Sequence, residues 1–412
     1  MAPLVRPFAA LRPLAEHAAA VIAPPYDVVS TEEARALVRD RPSSFLHISR
    51  PEIDLPPGAA PYSDEAYARG AANFARLRDT VLVREREPSY YVYRMRVGEQ
   101  TQTGVACVLS VAAYEAQRIR KHELTRPDKE NDRVRNIATL SAQTGPVLCA
   151  YRANDAVRAL LRASAAAPPL LEAVGPNQVL HTIWRVSDPA RVAAFSNALD
   201  ALDALYIADG HHRAAAAARV ARQRQTNGAA ISASDYFLGV LFPHDELEIL
   251  DYNRVVRDLN GMSAERFLQR VSESFAIEPL AAPRSPPRPR MFTMYLAGQW
   301  YSVTSTADAS KGERDDPIAA LDVSVLHDRL IAPVLNVGDP RTDARVDFVG
   351  GIRGLTELAR RVDVGSAAVA FALHPPSMDE LMAVADRGLV MPPKSTWFEP
   401  KLADGLLTHV LD

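Results

Sequence analysis

Apolar positions along this chain recur with two spacings, and the two alternate from near the first residue almost to the last. Continuous or alternating apolar runs of roughly 4–8 residues read as strands. Such runs predict strands at 89–98 and 103–113, joined by a GEQTQ turn, and at 145–152, 179–186, 204–208, 236–242, 247–256 and 366–372. MFTMYL and WYSVTS predict a hairpin. Helical spacing appears at 64–80, 155–165, 189–203, 317–331, 351–361 and 377–386. Ser30 followed by Glu33 forms a capping box, so a further helix should run to about Arg39. No internal repeat is visible. Interleaved strands and helices of this kind predict an α/β, mixed α+β fold with a sizeable mixed sheet.

Prolines punctuate the pattern. Pro24 and Pro25 hold an extended segment that presents Tyr26 and Asp27 in a stiff loop. AAPRSPPRPR, residues 281–290, reads as an extended linker or exposed loop. It divides the chain into an N-terminal region, 1–280, and a C-terminal α/β domain, 291–412. The helix that follows residue 208 has its stop signal at Asn227-Gly228.

Composition narrows the class. A chain of 412 residues can bury a large core. A net charge of -3 argues against a general nucleic-acid coat. Cys107 and Cys149 lie in no CxxC, which argues against a disulfide framework and a thiolate zinc site. No apolar run approaches the ~20 residues of a membrane span. MAPLVRPFAALRPL lacks the apolar stretch of an export peptide, so a cytoplasmic protein is expected.

Candidate chemistry concentrates in LYIADGHHRAAAAAR, residues 205–219. An apolar strand end runs into a polar turn and then an alanine-rich helix. Gly210 tolerates a left-handed backbone that lets the chain reverse close to a ligand. The first turn of a helix leaves amides unpaired and favours negative charge. Asp209, Gly210, His211, His212 and Arg213 therefore suit an anion cradle, most simply for phosphate. A glycine here could serve geometry alone, and Asp209 could be a plain cap. An acid, two imidazoles and a guanidinium in adjacent positions favour a site.

A second cluster, RKHELTRPDKENDRVRN at 120–136, carries Lys121, His122, Glu123, Arg126, Lys129, Glu130, Asn131 and Arg135. Such a mix can bind polyphosphate, hold a metal ion and supply a base. Its bland alternative is a solvated helix with charges paired across one turn. The flanking apolar strands place it at strand ends, where open sheets bind ligands. PPKSTWFEPK, 392–401, is a third cluster. Lys394, Ser395, Thr396 and Lys401 could meet an anion; Trp397 and Phe398 could equally be core plugs. Adjacent His211 and His212 diverge by about 100° on a helix and do not suit zinc. GxGxxG, GxxxxGK[ST] and GxSxG are absent, which removes support for a Rossmann fingerprint, a P-loop or an α/β-hydrolase.

RPFAALRP (6–13), APPYDVVS (23–30), RKHELTRPDKENDRVRN (120–136), ADGHHRAAAA (208–217), LDVSVLHDRLIAPVL (321–335) and MPPKSTWFEPKL (391–402) together resemble a bacterial and archaeal family of uncharacterised proteins. The DGHHR turn resembles the DGH-R loop of the free-serine kinases of the ParB/sulfiredoxin superfamily. That resemblance implies a ParB/sulfiredoxin-like core in which Gly210, His211, His212 and Arg213 hold nucleotide phosphates. Lys121, His122 and Arg126 would add to the cofactor site, with Glu123 and Glu130 as ligands of Mg²⁺. Asp209, Glu123 and Asp27, in that order, are candidates for the base, and His211 and His212 for proton transfer. The expected activity is a kinase using ATP or ADP and Mg²⁺ on a small hydroxy amino acid, L-serine first. Two rivals remain: a phosphatase acting on a molecule such as phosphoserine, and a ParB-like nucleotide-binding regulator. A homodimer is compatible with each.

Overall fold

The computed structural model describes residues 3–225, 232–306 and 315–412. The fold is mixed α/β, in two compact units. One comprises Met1–Leu247 with Pro400–Asp412, and the other Glu248–Glu399.

The first unit is built on a nine-stranded mixed sheet. Its strands are β1 (Val5–Arg6), β2 (Tyr90–Val97), β3 (Gln100–Ser110), β4 (Ile119–Arg120), β5 (Val147–Tyr151), β6 (Leu171–Val174), β7 (Leu180–Val186), β8 (Leu205–Asp209) and β9 (Tyr236–Pro243). They lie in the order β4-β8-β5-β9-β3-β2-β7-β6, with β1 beside β3. The pairs β4–β8 and β5–β9 are parallel, and the remaining neighbours run antiparallel. A strand in mid-sheet is covered on both faces, and β9 accordingly is buried at every position of YFLGVLFP. Helices α1 (Thr31–Val38) and α2 (Asp64–Thr80) begin at Ser30 and Ser63, whose hydroxyls accept from the backbone. The capping box of Ser30 and Glu33 is complete. Helix α3 (Pro127–Leu140) opens on a proline, where the missing N–H costs nothing. Helices α4 (Asp155–Ala165) and α5 (Pro189–Asp200) follow the predicted spans. Helix α6 (His211–Arg224) leaves β8 at the DGHHR turn. The stop expected at Asn227-Gly228 lies outside the described residues.

Pro400–Asp412 completes this unit. Asp404 exchanges backbone hydrogen bonds with Ala23 (3.0 and 3.1 Å), and Thr408 does so with Leu11. His409 and Val410 pair with Gln143 and Ala142. The core gathers Tyr90, Val92, Cys107, Cys149, Ile207, Phe237 and Leu241, each fully buried. Burial at about 1.5–3 kcal/mol per large apolar side chain makes this cluster the main support of the sheet. Both cysteines are free and buried, and burial pushes their thiols up, which leaves them inert.

The second unit carries a six-stranded antiparallel sheet. Its strands are β10 (Tyr252–Val256), β11 (Phe275–Leu280), β12 (Met291–Leu296), β13 (Gln299–Ser305), β14 (Val346–Gly350) and β15 (Val369–Leu373). The order is β11-β13-β12-β15-β10-β14. Residues 281–290 therefore do not separate domains. They connect two strands of one sheet, and β13 pairs with both β11 and β12. Proline-rich composition reports an extended local backbone, not the pairing of strands on either side. The single strand expected at 247–256 divides at Asp251: Glu248–Leu250 pairs with Trp397–Glu399, while Tyr252–Val256 joins the large sheet. Among the described residues, no helix is long and apolar enough to cross a membrane.

Candidate functional site

Strand β8 delivers Asp209 to the sheet edge, and Gly210 reverses the chain with φ at +95°. Only glycine adopts that backbone without penalty. A second reason is spatial: a Cβ on Gly210 would lie 2.9 Å from Arg213 Nε. The N-cap of α6 is Gly210 itself, which has no side chain to cap the helix, and the first turn carries the positive end of the helix dipole.

Arg213 folds back beneath the turn. Its Nη2 donates to Asp209 Oδ2 at 2.5 Å, and its Nη1 donates to the carbonyl of Pro146. Its Nε is buried without a partner. Lys401 Nζ donates to the other oxygen of Asp209 at 2.7 Å. Burial alone would raise the Asp209 carboxyl, but Lys401 and Arg213 overcome it and hold the group far below the usual range. Asp209 is thus a fixed anion between two cations, not a helix cap. Burial disfavours the Arg213 charge, yet Asp209, Asp27 and Asp404 keep it ionised.

The second cluster comes against the first. Strand β4 pairs with β8, which brings the following residues, 121–126, over the start of α6. His211 Nε2 accepts from the amide of His122 at 3.4 Å, and His212 Nε2 accepts from the amide of Arg126 at 3.0 Å. With Nε2 accepting, a neutral His211 carries its proton on Nδ1, which faces Glu123 Oε2 at 3.6 Å. The His122 and His211 rings meet edge to face at 4.6 Å. Burial lowers His122 to about 4 and holds His211 well below its ordinary value, the latter with help from neighbouring His122. Both rings are neutral near pH 7.

Other predicted residues disperse. Lys121 lies over the Tyr114 ring at 5.6 Å. The Arg126 side chain is exposed and bonds to Asp128. Glu130 uses one oxygen on Arg219 and the other on Thr125. Asp27 is exposed, but its charge reaches Arg213, Asp404 and Tyr26. In the third cluster only Lys401 belongs to this unit. Lys394, Ser395 and Thr396 belong to the second unit, where Arg254 donates to the carbonyls of Pro393 (3.1 Å), Lys394 (3.0 Å) and Tyr252 (2.7 Å).

Behind the turn lies a cavity of about 20 Å³, lined by Tyr26, Arg133, Asn136, Thr144, Gly145, Arg213 and Asp404. Arg133 stacks on Tyr26 at 3.7 Å and pairs with Asp132, which accepts from the Tyr67 hydroxyl at 2.7 Å. Burial raises the Tyr26 hydroxyl above its usual range, so it stays a neutral donor. Asp404 is 2% exposed. Burial pushes its carboxyl up to about 7; Arg213 and Arg133 oppose that rise and Asp27 adds to it. Sequence reasoning missed Asp404, Arg133 and Tyr67. One signal was present: Ala-Asp-Gly occurs at 208–210 and again at 403–405, and Gly405, like Gly210, has a left-handed backbone, φ +91°.

The fold is mixed α/β, and the DGHHR turn leads from β8 through a left-handed glycine into α6. The chain belongs to the family described as protein of unknown function (DUF1015), whose model matches residues 5–324. No curated protein matches it. Among solved structures it is similar to a free serine kinase mutant in complex with AMP, at 13% identity and a TM-score of 0.33, covering 71% of this chain and 86% of that one. It is also similar to SbnI with C-terminal truncation from Staphylococcus aureus (12%, TM-score 0.38, 73% and 85%). A conserved hypothetical protein from Pyrococcus furiosus is a third (13%, 0.33, 73% and 93%).

Proposed function

We propose that this protein is a nucleotide- and Mg²⁺-dependent kinase that phosphorylates the hydroxyl of a small amino acid, with ATP or ADP as donor and L-serine as first acceptor. The observation that carries the reading is the start of α6: a left-handed glycine at the N-cap, with the guanidinium of Arg213 packed directly beneath. Such an arrangement concentrates positive potential where a phosphate would sit. Phosphoryl transfer asks mainly for positioning and charge neutralisation. Gly210, His211, His212 and Arg213 would line that position.

Bound Mg²⁺ would offset the negative charge of the phosphates. Among the described residues, no group of three or more His, Cys, Asp or Glu could hold a metal unaided. Mg²⁺ needs few protein ligands when phosphates supply oxygens. Glu123, whose side chain is 46% exposed, suits that single role. Glu130 does not, since Arg219 and Thr125 engage both its oxygens. A phosphatase route through phosphohistidine has less support, because the Nε2 atoms of His211 and His212 already accept backbone amides.

The test is a thermal-shift series with ATP, ADP, phosphoserine and L-serine, with and without Mg²⁺, followed by phosphoryl-transfer assays. A ligand bound only to the native state raises Tm by mass action. We expect ATP or ADP to stabilise the wild type and not Gly210→Ala, whose Cβ would press on Arg213. Stabilisation by phosphoserine alone would turn the reading to a phosphatase. Nucleotide binding without turnover would turn it to a regulator.

A further inference from the structure

Phosphoryl transfer to a hydroxyl needs a group that accepts the hydroxyl proton. The three acids singled out from sequence are poorly placed for it. Asp209 is neutralised by two cations and is a weak base. Glu123 faces His211, and Asp27 is exposed to solvent. The segment Pro400–Asp412 instead brings another acid, Asp404, to the wall of the cavity behind the turn.

We propose that this cavity is the acceptor subsite of the kinase and that Asp404 takes the proton from the acceptor's hydroxyl. The inference rests on the nucleotide-dependent reading above. Three observations support it. The cavity is about 20 Å³, room for roughly one water or a hydroxymethyl group, with Arg133, Arg213 and Asp404 set among apolar Ile137, Phe237 and Leu238. Gly145 keeps the space open: a Cβ there would stand 3.1 Å from Asp404 Oδ1 and 3.3 Å from Arg213 Cδ. Arg213 is shared, lying under the phosphate cradle on one side and lining the cavity on the other. In the step, the acceptor O–H bond breaks and its proton passes to an Asp404 oxygen. The acceptor oxygen bonds to the terminal phosphorus as the bond from that phosphorus to the nucleotide breaks, and the shortened nucleotide leaves with that electron pair. A carboxyl pushed up to about 7 by burial is matched to this task near neutral pH. The charged groups that act on it are Arg213 on α6, Arg133 on α3 and Asp27 in the N-terminal loop.

The experiment measures binding of L-serine and L-alanine by calorimetry from pH 6 to 8.5, to the full-length wild type, Asp404→Asn and Gly145→Ala. We expect the wild type to prefer serine by about tenfold at pH 8 and to lose preference as pH falls below 7. Asp404→Asn should show a preference that no longer changes with pH. Gly145→Ala, which fills the cavity, should bind serine at least tenfold more weakly while ATP affinity stays within about twofold. Turnover with saturating ATP should fall by about 100-fold in Asp404→Asn and lose its acidic limb. A pH-dependent preference that survives in Asp404→Asn would overturn the proposal, as would equal binding of serine and alanine by the wild type. Failure of the kinase reading looks different: ATP and ADP then neither bind nor turn over, whatever the amino-acid titrations give.

Discussion

Two buried arginines of this chain, Arg213 in the first unit and Arg254 in the second, are held in opposite ways. Arg213 sits among acids: Asp209 touches it, and Asp27 and Asp404 stabilise its charge. Arg254 donates to the carbonyls of Tyr252, Pro393 and Lys394 and lies over the Phe348 ring at 4.7 Å. Burial therefore holds Arg254 below the usual guanidinium range, while the acids around Arg213 outweigh the same penalty. Carbonyls make Arg254 a clamp on a loop. Carboxylates at Arg213 make an electrostatic centre with one donor, Nε, unused. Where a buried charge is surplus to packing, its partners tell which role it has.

The largest way to test this contrast is to remove each guanidinium. Arg213→Ala takes one of its two cations from the buried Asp209 carboxylate and should cost about 3–5 kcal/mol in urea unfolding, with loss of nucleotide binding. Arg254→Met keeps the volume and strands only carbonyls, so about 1–2 kcal/mol is expected. Equal losses would erase the distinction.

The next effect is in pH. The folded Asp404 carboxyl lies near 7 against an ordinary value of 3.8. The native state thus holds a proton that the unfolded chain releases. Stability from this group is complete below about pH 4 and falls as pH rises through 7, by at most roughly 4 kcal/mol at about 1.4 kcal/mol per unit. Buried His122 titrates with the opposite sign, so the wild-type curve must be compared with that of Asp404→Asn. The difference between the two should carry the slope between pH 4 and 7. Its absence would mean that Arg213 and Arg133 keep Asp404 ionised throughout.

The smallest effect belongs to the surface. Arg126 pairs with Asp128 in solvent, and Arg126→Ala should change stability by under about 0.5 kcal/mol. We expect nucleotide affinity to weaken a few-fold and to become less sensitive to salt, measured at 50 and 300 mM NaCl.

Local signals made much of the scaffold legible. Caps marked α1, apolar spacing marked α4 over its full span, and the order of apolar strand, glycine and helix marked the DGHHR turn. The meeting of 120–136 with that turn was not readable, since it depends on β4 pairing beside β8. Asp404 was hidden for the same reason. KLADGLLTHV has no periodicity that tells of its return to Ala23 and Leu11. Proline density at 281–290 misled because turns inside a sheet and linkers between domains use the same residues.

The return of Pro400–Asp412 to the first unit sets an order of events on the ribosome. Residues 248–399 are contiguous and can fold as soon as they emerge. The first unit must wait for Lys401 and Asp404, although its DGHHR turn was made almost two hundred residues earlier. Until then Asp209 lacks one of its two cations and the cavity behind the turn lacks a wall. The nascent chain passes through a stage in which the turn exists without its completed surroundings, and only synthesis past residue 404 assembles them.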